Sequence, residues 1–115
     1  MDQKTTINEL KEMIEKFVQD REWAKYHDPK SLSMALAIEA AELMDIFKWH
    51  TYSECTEIMK QDSTIDAVRD ELADIVIYSL AFASRNRIDV ADAVKRKIQK
   101  NSTKYPVQKF KGSAP

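Results

Sequence analysis

A single glycine, Gly112, in 115 residues leaves this chain almost no positions at which the backbone can take positive φ freely or approach a ligand closely. Glycine-rich phosphate loops need both, so neither a P-loop nor a dinucleotide-binding fingerprint can be built from it. If the chain handles phosphates, it must do so with metals and side chains.

The apolar residues follow helical spacing throughout, and no alternating run is long enough for a strand. Thr6 with Glu9 reads as a capping box opening a first helix, followed by Ile7, Leu10, Ile14 and Phe17 on one face. Asp28-Pro29 opens a second helix running to about Lys48. A short helix is expected around Glu54 to Lys60, and a third long one from Ser63 or Thr64 to about Asn86. Asp89 caps a fourth, which ends before Pro106. The expectation is one all-α domain over residues 1–115, a four-helix bundle with a basic tail from about 106 to 115.

Charge is unevenly divided. All nineteen acids lie at or before Asp92 with eleven of the bases, while residues 93–115 carry seven Lys and Arg and no acid. The acidic part would repel a polyanion, and only Tyr105 and Phe110 interrupt the basic run, so nucleic acid is not an expected partner. The longest uncharged stretch, Ile75 to Ser84, is ten residues, too short to span a bilayer. With no signal peptide at Met1-Asp2-Gln3-Lys4 and one unpaired cysteine, Cys55, a cytoplasmic location is expected and no membrane partner.

Four carboxylates stand where a bundle should be apolar. Glu39 and Glu42 are three apart on the second helix, and Glu71 and Asp74 repeat the spacing on the third. On a helical wheel Leu32, Ala35, Leu43 and Ile46 all fall within about 40° of Glu39, with Glu42 at the edge of that stripe. Around Glu71, Val68, Ile75, Tyr78 and Phe82 lie within about 60°, with Asp74 beside them. Unpaired carboxylates on core-facing stripes are strongly disfavoured. Raised pKa values, buried basic partners or a bound cation could each relieve them. Lys48, Arg69 and Arg85 flank the motifs without separating the carboxylates, so a divalent cation answers the electrostatics most directly. An all-carboxylate set selects Mg²⁺, with Mn²⁺ as substitute. Zinc is disfavoured because Cys55, His27 and His50 lack ligand spacing, and di-iron because no histidine lies three residues after a glutamate. The third helix is apolar on nearly every side, which one small monomer cannot cover, so a homodimer or homotetramer is expected.

Glu39-x-x-Glu42, a 28-residue gap and Glu71-x-x-Asp74 resemble the MazG-like all-α nucleoside triphosphate pyrophosphohydrolases, most of all their dCTP pyrophosphatase branch. Trp23-Ala24-Lys25-Tyr26-His27, Phe47-Lys48-Trp49, Glu71 to Tyr78, and Asn101 with Lys104-Tyr105-Pro106 extend the likeness from about Trp23 to Pro106. The resemblance implies Mg²⁺-dependent hydrolysis of a dNTP, dCTP or a near relative, to dNMP and pyrophosphate, as house-cleaning of the nucleotide pool. It implies that Glu39, Glu42, Glu71 and Asp74 are the metal-binding and catalytic set. Trp23, His27 and Trp49 would line the base and sugar pocket, Tyr78 would contact the nucleotide, and Asn101 and Lys104 would approach it. Lys97 shares a face with these last two and could reach phosphate oxygens. Ile38 and Ile14 depart from the family's pattern, at positions where many members carry glutamate and some dCTP-preferring members histidine; the departures bear on the base. The same chemistry on dATP, dUTP or a modified nucleotide is the nearest alternative, and a non-catalytic helical oligomerisation module the more distant one.

Overall fold

Side-chain caps start four of the helices in this chain. In the computed structural model, which describes all 115 residues, Thr6 Oγ1 accepts from the Glu9 amide at 3.1 Å and starts α1 (Ile7–Asp20). Asp28 accepts from the Ser31 amide at 2.8 Å and, with Pro29 in the first turn, starts α2 (Pro29–Asp45). Thr51 and Glu54 close a full capping box on the short α3 (Tyr52–Ile58). The long α4 (Asp62–Arg85) begins without a side-chain cap. Asp89 caps α5 (Val90–Lys104), and after Pro106 a last turn forms α6 (Val107–Phe110). A 3-10 turn, Ala24–Tyr26, joins α1 to α2. The molecule is all-helical, with no strand.

Several boundaries depart from the expected ones. Regular helix in α2 stops at Asp45, because the chain tightens there: Ile46 and Phe47 bond back three residues, to Leu43 and Met44. The short helix lies slightly earlier than expected because Thr51 caps it. The third long helix opens at Asp62, not Ser63 or Thr64, and neither hydroxyl serves as its cap. The basic tail contains the α6 turn, closed by edge-on packing of Tyr105 against Phe110 at 5.3 Å.

Two turns show how the chain manages without glycine. At the end of α1 the Trp23 amide returns to Val18 O at 3.0 Å and the Glu22 amide to Gln19 O at 3.0 Å. This is a Schellman closure, and its left-handed residue is Glu22, with φ of 54°. At the end of α4 the Ile88 amide bonds Ala83 O at 2.9 Å, and Arg87 takes φ of 55°.

Packing is centred on α4, against which α2 lies most extensively and α1 less so. The fully buried residues are Val18, Leu32, Leu80, Ala81 and Ala83. The helix α5 leans only lightly on the rest, and its Val94 and Ile98 are exposed. No helix is long and apolar enough to cross a membrane.

Candidate active site

The contact between α2 and α4 brings the acidic pairs face to face. Ligand oxygens of Glu39, Glu42 and Glu71 all lie within 4.8 Å of one another. Glu39 and Glu71 are half-buried and Glu42 is exposed, in keeping with its place at the edge of the apolar stripe. Oε2 of Glu39 and Oε2 of Glu71 are fully enclosed without a hydrogen-bond partner. None of the chain's ion pairs includes Glu39, Glu42, Glu71 or Asp74. Basic neighbours are engaged elsewhere: Lys48 with Asp45 at 2.9 Å, Arg69 with Asp66 at 3.5 Å and Arg85 with Glu15 at 3.8 Å.

The electrostatic consequence follows. Burial, then the adjoining Glu71 and Glu42 carboxylates, then the charge of Asp74, push the Glu39 carboxyl up to about 7. Burial also raises Glu71, with Glu42 and Asp74 adding to the rise and Glu39 opposing it. Two carboxylates that resist ionisation beside a third are a poor end state for a protein and a good starting state for a cation site.

Asp74 is not among the three carboxylates within 4.8 Å of one another, although its charge acts on both Glu39 and Glu71. Three residues beyond Glu71, it is rotated about 60° around α4, toward a groove between α1 and α4. That groove has a volume of about 830 Å³ and is mostly apolar. It brings together four of the residues named from the sequence: Trp23, His27, Asp74 and Tyr78. His27 presents a buried Nδ1 without a partner. Trp49, 85% exposed, lies outside the groove, as do the exposed Lys97 and Lys104 and the half-buried Asn101. Within one chain these four do not meet the rest of the predicted set. The groove also uses Met13, Phe17 and Leu72, which the sequence left among ordinary apolar positions; their only signal is the i, i+4 spacing of Met13 and Phe17 on the face of α1 that carries Leu10 and Ile14.

Residues 34–114 match the MazG-like family, and the chain belongs to it. Among its relatives, dCTP pyrophosphatase 1 of Rattus norvegicus is 33% identical over 109 residues, which cover 95% of this chain and 64% of that protein. The human protein of the same name is 31% identical over the same coverage. This chain thus spans 64% of the length of these curated relatives. A crystal structure of a pyrophosphatase from Archaeoglobus fulgidus superposes with a TM-score of 0.81 at 39% identity, over 87% of this chain and 92% of that one.

Proposed function

We propose that this protein is a divalent-metal-dependent pyrophosphohydrolase that cleaves a deoxynucleoside triphosphate, dCTP or a close analogue, to the monophosphate and pyrophosphate. The observation that carries it is the convergence of Glu39, Glu42 and Glu71 within 4.8 Å, with two enclosed oxygens unpartnered and no base paired to them. The donor set fits a hard cation: all-oxygen, anionic and unneutralised by protein, which favours Mg²⁺ with Mn²⁺ as substitute. Glu39, Glu42 and Glu71 would hold it, with Asp74 adding charge from the next turn. Such an ion, when bound, supplies neutralisation of triphosphate charge and acidification of water.

The chain's own residues supply the remainder. Glu39, one of the two half-buried carboxylates of the cluster, would take the proton of a water attacking the α-phosphorus. Trp23 offers an aromatic plane for a base at the groove, and His27 and Tyr78 offer polar atoms beside it. Lys97, Asn101 and Lys104 share one face of α5 and carry donors suited to phosphate oxygens. The related proteins named dCTP pyrophosphatase support the choice of dCTP. Ile14 lines the groove, and an apolar group there favours a second reading in which the same chemistry acts on another base.

The working form in this proposal is a homodimer or homotetramer. A chain of 13.3 kDa should expose about 6,500 Å² when folded alone, and this one exposes 9454 Å². The excess of roughly 3,000 Å² is on the scale of an obligate interface. Association would also give Trp49 and α5 a surface to meet.

The test is a pyrophosphate-release screen over canonical and modified dNTPs with Mg²⁺, with Glu71→Gln as control. Release confined to the wild-type protein is expected. No pyrophosphate from any dNTP, and no change in melting temperature on adding Mg²⁺ or Mn²⁺, would leave a helical oligomerisation module.

A further inference from the structure

Trp23 has the stacking role in the proposed function, yet its side chain is 45% exposed. The Schellman turn fixes its backbone but not its ring. The ring meets Phe17 nearly edge-on, with centroids 5.8 Å apart and planes at 74°. Phe17 is itself 49% exposed, so it too lacks a packed surround. Its ring is met by Arg21, whose guanidinium carbon lies 3.7 Å from the Phe17 centroid and 6.0 Å from that of Trp23. Arg21 Nη1 donates to Phe17 O at 3.1 Å, which ties the guanidinium back along its own helix. No carboxylate forms an ion pair with Arg21, so no competing partner draws it off the ring.

We propose that Arg21 is a positioning residue for the base site: stacked on Phe17, it sets the orientation of the Trp23 ring on which a nucleobase lies. The proposal rests on the nucleotide-hydrolysing function above. Arg21 does not line the groove, whereas Phe17 and Trp23 do, so its effect reaches a ligand through them. A lysine would keep the positive charge near the C-terminus of α1 and could still donate to a carbonyl, but it has no planar face to stack. Arg21→Lys therefore separates stacking from charge and capping.

The experiment has two arms. In a Trp49→Phe background Trp23 is the sole tryptophan of the two in the chain. There Arg21→Lys should shift its emission to the red and speed its quenching by acrylamide, with far-UV circular dichroism unchanged. With Trp49 intact, Arg21→Lys should raise KM for dCTP roughly threefold to tenfold while kcat stays within about twofold. Phe17→Leu should raise KM alike, and adding Arg21→Lys to it should raise KM no further, because the two act as one unit. A lysine variant with wild-type KM, wild-type quenching, or an effect on KM fully additive with Phe17→Leu overturns the role of Arg21 and leaves the function standing. A wild-type protein that releases pyrophosphate from no dNTP overturns both.

Discussion

Glu39 and Glu71 owe their behaviour to position, and their protonation should be readable in the stability of the metal-free protein. Both are raised in the folded state, Glu39 from 4.5 to about 7. The folded chain therefore holds protons that the unfolded chain has released between those values, and stability falls as pH rises through that window. Melting temperature without metal should accordingly drop between about pH 5 and about pH 8, and Mg²⁺ should restore more at the higher pH. Glu39→Gln should flatten the profile and reduce pyrophosphate release by about 10²- to 10⁴-fold. Glu71→Gln should melt higher than wild type in metal-free buffer at about pH 8 and gain less from Mg²⁺. The wheel made these two residues legible, since each sits amid its helix's apolar stripe. Which oxygens meet across two helices was not legible, because a wheel gives only direction around an axis.

At the scale of elements, the local chemistry of caps was legible and its outcome was not always. Two T-x-x-E sequences stand in the chain, at Thr6 and at Thr51. Only the second closes in both directions, the Thr51 amide donating to Glu54 Oε1 at 2.8 Å. Thr51→Ala should cost about 1 kcal/mol in urea unfolding. The left-handed conformations of Glu22 and Arg87 carried no sequence signal, because glycine or asparagine is the usual mark of such a closing residue. Each keeps a conformation that L side chains adopt at a cost. Arg87→Gly, remote from the groove, should therefore stabilise the protein by about 0.5–1 kcal/mol in the same measurement. A destabilised variant would mean that the Arg87 side chain contributes more than its backbone strain takes away.

For the whole molecule, the radius of gyration is 17.3 Å, against about 13 Å for a compact domain of this length. Apolar side chains that periodicity assigns to an interior stand in the open: Ile7 is 38% exposed, Phe17 49% and Leu72 51%. The all-helical class was legible from spacing alone. The arrangement of α5 and the distance of Trp49 from the groove were not, because helical periodicity names a buried face without saying which molecule buries it. If the proposed assembly uses α4, Val76→Asp, at a groove residue 42% exposed in the single chain, should shift sedimentation toward the single-chain mass. A wild-type chain that sediments at the single-chain mass would overturn the assembly, and a variant with unchanged sedimentation would remove α4 from the interface.

An interior of five residues, Val18, Leu32, Leu80, Ala81 and Ala83, has one more consequence. If subunits supply one another's missing core, folding and quantity cannot be separated, and dilution acts as a denaturant. Copies made too sparsely to find each other would persist as loose, protease-sensitive chains, so abundance itself would set how much of this protein exists in working form.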